Sequence, residues 1–359
     1  MGGVTLSPAV SKAPAAVRRT SRSAVRRIWG SVLLKRIAFY LVAAWAAATL
    51  NFLLPRLMPG DPASAILLKM SELGPVTPDR VQLVHRLFGG AHSEPLWRQY
   101  FSYLGGLFHG DFGLSLAFYP TPVSTVVRSG FLWSVLLLGV STVIAFVLGT
   151  VLGALAGRRP GGWLDTVISP LSIFVHSLPY FWAALILVYV FAFRLDWFPL
   201  SGGARPDLAP GFDPRFISSA VTHALLPAAT IVLTSISGWL IHMRNMMASV
   251  VNEDYVLLAR AKGLSETRVT TAYAARNAVL PSVSSFAVSI GLVVGGSLLT
   301  EMVFNYPGLG SLLNQAILNL DYPLMQALFL VISMTVLVAN FVMDCLYVLL
   351  DPRTREAAS

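Results

Sequence analysis

The stretch GTVLGALAG, residues 149–157, sets three glycines four positions apart at the end of a long apolar run. On a helix that interval puts Gly149, Gly153 and Gly157 on one face, a notch into which a neighbouring backbone can settle. Gly291 and Gly295 repeat the interval. Notches of this kind suit helices that pack inside a bilayer, and the composition agrees. Of 359 residues 55% are apolar and 12% charged, with a mean hydropathy of +0.68, more than a water-soluble core needs. The expectation is a packed bundle of membrane helices that includes a partner.

A spanning helix needs roughly 20 apolar residues. Six segments qualify, at about 37–54, 131–156, 166–193, 222–243, 282–303 and 324–350. The fold class is therefore all-α: a polytopic membrane protein with six transmembrane helices and both termini on one side. The Ala44 to Ala46 pattern resembles a cleavage site, but apolar sequence continues to Leu54, so the first span is read as uncleaved. Placing the termini in the cytoplasm puts 17 of the 26 Lys and Arg residues inside, and six of the other nine fall in the long loop 55–130. No acidic residue precedes Asp61, which reinforces that orientation.

Residues 1–35 are rich in Ser, Ala and Arg without apolar periodicity, the pattern of a disordered basic cytoplasmic tail lying against anionic membrane lipid. Residues 36–355 form the membrane domain, and 356–359 a short cytoplasmic end. Within the outer loop 55–130, Thr77-Pro78 followed by Val81, Val84, Leu87 and Phe88 predicts a helix that Gly89 ends. A second amphipathic helix is predicted from Pro95 to Phe108, with Trp97, Tyr100, Phe101 and Leu104 on one side. Both are expected to lie on the outer surface.

Several chemistries have no residues to support them. There is no Gly-x-x-x-x-Gly-Lys-Ser/Thr loop to hold ATP, so no cofactor is expected on this chain. Cys345 is solitary, and His176, His223 and His242 make no i, i+4 pair, so no metal site is expected. The net charge of +9 lies beside apolar runs without interleaved aromatics, which argues against nucleic acid. Asp344 is the clearest ionised residue within a span, placed where it can reach the interface or pair with a neighbouring cation. An independent secondary transporter would need more such charges and inverted repeats, and an intramembrane enzyme would need a nucleophile or metal cluster.

The cytoplasmic segment 247–281 is the polar exception. Residues 253–262, EDYVLLARAK, are good helix formers, with Tyr255, Leu258, Ala259 and Lys262 near one face. Gly263 then supplies the left-handed residue that ends a helix, and Ser265 caps a second helix with Glu266 in its first turn, running to Pro281. A short helix held at a corner outside the membrane makes a rigid knob suited to a soluble partner.

With these residues, the chain resembles the inner-membrane permeases of ATP-binding-cassette importers, in the dipeptide/oligopeptide/nickel branch and its first-permease type. The resemblance rests on DYVLLARAKGLSETRV at 254–269, ARNAVLPSV at 275–283, LMPGDPA at 57–63, GDFGLSL at 110–116 and SLPYFW at 177–182. It continues with the stretch from Glu301 to Val331 and YVLLDPRTR at 347–355, collinear over about 30–355. It implies a type I importer fold in a bacterial inner membrane, and a noncatalytic subunit whose ATP and Mg are held by partners. Those implied partners are a second homologous permease, one or two ATPase subunits and an extracytoplasmic substrate-binding protein.

The resemblance further implies that 253–264 is a coupling helix, with Glu253, Asp254, Tyr255, Ala259, Arg260, Ala261, Lys262, Gly263 and Leu264 meeting the ATPase. The polar contact falls to Glu253, Asp254, Arg260 or Lys262. Leu257 stands where the strict importer signature has Glu, a departure shared with the peptide/nickel branch. The branch carries peptides or nickel. Absence of clustered soft ligands favours di- and oligopeptides, with Ser289, Ser297, Thr300 and Asn305 as candidate pathway residues.

Overall fold

The computed structural model describes residues 22–57, 95–283 and 298–350, together with Leu67, Ser71, Thr77, Pro78, Val81 and Phe286. In chain order the elements are α1 (Arg22–Leu57), α2 (Leu96–His109), α3 (Val123–Gly157), α4 (Trp163–His176) and α5 (Tyr180–Leu187), the last continued by a wider π turn, Val188–Arg194. They are followed by α6 (Pro214–Val250), α7 (Asp254–Ala261), α8 (Glu266–Arg268, widening into a π turn at Val269–Ala275), α9 (Leu298–Val303), α10 (Leu309–Leu318) and α11 (Tyr322–Leu350). No strand forms among the described residues; Leu114 and Pro122 make an isolated antiparallel bridge.

The glycine notch organises the bundle. A methyl group at Gly149 would lie 2.6 Å from Trp239 Cβ and 2.7 Å from the Ile236 carbonyl oxygen. One at Gly153 would collide with the Leu240 carbonyl, and one at Gly157 would lie 2.5 Å from the Arg244 carbonyl. Contacts advance together along both chains, so α3 and α6 run parallel, backbone against backbone. Gly291 and Gly295 lie outside the described residues.

Parallel packing fixes the path between the two helices, because the chain must cross back between Gly157 and Pro214. It does so through α4 and α5, a span bent by 100° rather than the straight one the sequence suggested for 166–193. The break falls at Ser177-Leu178-Pro179. The Ser177 hydroxyl donates to the Phe174 carbonyl at 2.7 Å, closing α4, and Pro179 offers no N–H to continue it.

The terminal helices pair antiparallel. Asn51 Nδ2 donates to the Gln326 carbonyl at 2.7 Å while Gln326 Nε2 donates back to the Asn51 carbonyl at 3.1 Å. Fifteen positions earlier in α1, Arg36 donates to the Asp344 carbonyl at 2.5 Å and Tyr40 to Asp344 Oδ2 at 2.9 Å. Arg36 Nη1 also lies 3.5 Å from Asp344 Oδ2, so of the two expectations for Asp344 the cationic neighbour is the one found. Among the described residues four helices are long and apolar enough to span a membrane, five with the bent pair. Most of the expected span 282–303 lies outside the described residues.

Two local expectations are corrected. α1 begins at Arg22, inside the expected disordered tail, because Arg, Ala and Val extend a helix already nucleated by the span. Residues 1–21 lie outside the described set, as do most of 58–94; Val81 N donates to the Thr77 carbonyl at 3.1 Å, one turn at the predicted start. The expected single face of α2 divides. Tyr100 and Tyr103 pack on Phe52 and reach Thr49 and Asn51 of α1, whereas Trp97 and Phe101 are exposed.

The notch yields a prediction. Gly153→Leu should lose at least about 1–3 kcal/mol through overpacking and reduce the level of folded protein. Gly139→Ala, where nothing lies within 4 Å, should be tolerated. Thermal unfolding of the two variants in detergent distinguishes them.

Candidate functional site

Two places concentrate polar groups: a knob at one end of α6, and a pair of buried carboxylates near the other. The knob is α7, and its geometry follows from two ends. Its C-terminal bonds run from Gly263 N to the Arg260 carbonyl at 2.9 Å and from Leu264 N to the Ala259 carbonyl at 3.4 Å. That is the paired closure of a Schellman turn, with Gly263 at φ 76°. Leu264 then tucks against the same apolar cluster as Ala259.

Val256 and Ala259 anchor the knob. They are buried with Met243, Met247 and Val251 of α6 and its continuation, and with Val269, Ala274 and Ala278. The expected face of Tyr255, Leu258, Ala259 and Lys262 is therefore divided, since Ala259 turns inward at 3% exposure. What faces outward is Tyr255, Leu257 and Leu258, flanked by exposed Glu253, Asp254, Ala261 and Lys262. Arg260 is half-buried and reaches Glu266 Oε1 at 3.3 Å. Ser265 holds the N-cap position but its side chain makes no capping bond; Glu266 is engaged by Arg260 instead. Helix runs on from 276 through 283, so Pro281 does not mark a boundary.

Just before the knob, Asp165 of α4 clamps α6. Arg244 Nε and Nη2 donate to its two oxygens at 2.7 and 2.6 Å, while Gly161 N and Ser169 Oγ donate at 2.9 and 2.8 Å. A fork of this kind fixes orientation as well as charge.

At the other end, Glu301 of α9 is fully buried. Its Oε1 accepts from Ser134 Oγ of α3 at 2.6 Å and its Oε2 from Gly310 N of α10 at 2.7 Å. Ser134 Oγ also accepts from Leu309 N at 2.8 Å. The Gly310 amide in the first turn of α10 thus meets the carboxylate directly, and the Leu309 amide meets the serine that bonds it, at a helix end where the dipole favours negative charge. Gly308 is required because a side chain there would overlap both Glu301 and Ser134.

Asp321 is the second seat. Its Oδ1 caps α11 through Leu324 N at 3.1 Å, and its Oδ2 accepts from Ser115 Oγ at 2.5 Å and Ala117 N at 2.9 Å. It ties the GDFGLSL loop to the start of α11.

Of the candidate pathway residues, Ser289 and Ser297 lie outside the described residues. Thr300 is buried, its hydroxyl without a partner among the described residues, and Asn305 is exposed at φ 45° in the turn after α9. The sequence reading passed over Glu301, Asp321 and the Asp165–Arg244 pair. Asp321 carried a usable signal, an N-cap residue two before Pro323; Asp165 and Glu301 depend on partners 79 and 167 positions away.

Residues 149–356 match the family described as binding-protein-dependent transport system inner membrane component. The oligopeptide transport system permease protein AppB of Bacillus subtilis is 34% identical over 85% of this chain and 92% of its own length. The di/tripeptide transport system permease protein DppB of Pseudomonas aeruginosa is 32% identical over 91% and 99%, and the dipeptide transport system permease protein DppB of Lactococcus lactis 32% over 90% and 98%.

Because both Glu301 oxygens face donors, Glu301→Gln should set an amide NH2 against one of them. The expected cost is about 1–3 kcal/mol for the donor left unpaired. Thermal unfolding beside Asp344→Asn, whose site is half-exposed, should show the larger loss at Glu301.

Proposed function

This chain belongs to the binding-protein-dependent transport system inner membrane component family, and from that premise we propose that it is the noncatalytic permease subunit of an ATP-driven di-/oligopeptide importer. It works with a homologous second permease, ATPase subunits that hold ATP and Mg, and an extracytoplasmic binding protein. The observation that carries the reading is its similarity, over nearly their whole length, to relatives named as peptide permeases. These relatives do not favour nickel import.

The knob suits the coupling role. Tyr255, Leu257 and Leu258 offer a small apolar surface ringed by Glu253, Asp254 and Lys262, the arrangement of an interface core with a polar rim. Through Met243 and Met247 its motion enters α6.

Six crossings with cytoplasmic termini fit the described helices. The start of α3 packs with the start of α11, since Val123, Val126 and Val127 share a cluster with Leu324 and Leu328. α11 runs antiparallel to α1, and α6 parallel to α3, so the end of α6 and the start of α11 lie at opposite levels. One more crossing must connect them. The knob then shares a side with the chain ends, where an ATPase would sit, in a bacterial cytoplasmic membrane.

Two measurements test this. Cells lacking the gene should lose uptake of labelled short peptides and keep uptake of radioactive nickel; the reverse result rejects the assigned cargo. Gly263→Val should leave the assembled complex hydrolysing ATP while peptide uptake falls, because a β-branched residue in the left-handed region costs about 1–2 kcal/mol and tilts the knob. Normal uptake by that variant would remove Gly263 from the coupling corner.

A further inference from the structure

The first turns of α6 border a cavity of about 560 Å³ at the end of the helix opposite the knob. Six of its lining residues carry its chemistry: Arg205, Asp207, Arg215, Ser218, Thr222 and His223. A helix of 37 residues rising 1.5 Å per residue keeps the cavity roughly 50 Å from α7.

The cavity has a fixed wall. Gly202 N donates to the Phe304 carbonyl at 2.9 Å, and a side chain at Gly203 would collide with Pro307, so the 202–208 loop is seated on the turn that holds Asn305. Arg205 N donates to the buried Ser219 hydroxyl at 2.9 Å, joining the loop to α6. The site therefore adjoins the candidate pathway rather than an isolated loop tip.

Its charges are unequal. Arg205 is spoken for by Asp207, with bonds of 3.0 and 2.6 Å that also hold the Asp207 carboxyl below its usual range. Arg215 makes no ion pair among the described residues. The hydroxyls of Ser218 and Thr222 donate to the carbonyls of Arg215 and Ser218, leaving their oxygens as acceptors in the cavity. His223 Nδ1 lies 2.8 Å from the Ser219 carbonyl, which leaves Nε2 for a ligand, and Pro227 offers no N–H to the His223 carbonyl. One free guanidinium thus stands beside several peptide-like acceptors.

We infer that this cavity receives the carboxylate end of an incoming short peptide, with Arg215 as its anion partner and the Ser218, Thr222 and His223 edge bonding the peptide backbone. The inference rests on the peptide reading above. A short peptide fits the volume, and unspecific hydroxyl and carbonyl acceptors suit a cargo of varied side chains. Arg is matched to a carboxylate by its planar pair of donors.

The test uses the complete importer in nanodiscs and a dipeptide bearing a benzophenone side chain, as the free acid and as the C-terminal amide. Irradiation should label the segment 199–223 with the acid at least about tenfold more than with the amide, the weight of one charge-assisted hydrogen bond. Arg215→Gln should abolish that preference and Arg215→Lys retain part of it, with both variants assembling into the complete importer at the wild-type level. Equal labelling by acid and amide, labelling indifferent to Arg215, or no label in this segment would each overturn the inference. Uptake of an unmodified labelled dipeptide by the same wild-type importer with its binding protein separates the two readings. Transport without labelling defeats the carboxylate site alone, and no transport at all defeats the cargo assignment with it.

Discussion

Everything else in this bundle is arranged around the parallel contact of α3 with α6. In lipid there is no water to expel between two apolar helices, so association depends on close packing, and close packing depends on removing side chains. Gly149, Gly153 and Gly157 remove them along three successive turns, and α6 answers with Ile236, Leu240 and Arg244 backbone atoms in the space. Because the two helices are parallel, the intervening chain has to return across the membrane. The bent α4–α5 span follows from that requirement.

The carboxylates solve a different difficulty. Turns and helix starts near a membrane expose amide donors that lipid cannot satisfy. Glu301 takes up the Gly310 amide and a hydroxyl from α3, and Asp321 takes up amides from two separate segments. Each charge is spread over several donors and joins elements that are distant in sequence. Their burial is tolerable only because every bond is present. The short turn Tyr306-Pro307-Gly308 is then a consequence of Glu301, since Gly308 leaves the space its carboxylate occupies.

How much of this was legible beforehand depended on the range of the interaction. The interval from Gly149 to Gly157, four of the apolar runs and the Gly263 corner are local patterns, and each appears where the sequence places it. The face of α7 was misjudged at Ala259 because helical spacing gives neighbours on a face but not which face meets the bundle; that was decided by Met243 and Met247. The straight third span was misjudged because hydropathy is blind to direction, and Leu178-Pro179 was read as part of a span rather than as its break. Glu301 and Asp165 were passed over for the same reason: an acidic residue near an apolar run reveals nothing about a serine or arginine in another helix.

α6 finally joins the parts into one mechanical unit. Its first turns border the polar cavity, its middle is seated in the α3 notch, and its last turns carry Arg244, held by Asp165, and the methionines under the knob. A displacement of α7 enters through Met243 and Met247, which are buried too tightly to absorb it. It cannot move α6 alone, because the backbone contacts at Gly149, Gly153 and Gly157 leave no clearance, so α3 must follow. Compliance has to come from the places where helices are interrupted: the 100° break before Pro179 and the turn between Val303 and Leu309. The second of these also forms the wall behind the 202–208 loop. If α7 has the coupling role proposed for it, a force applied at the knob would reach the far cavity through stiff helices and be released at its rim.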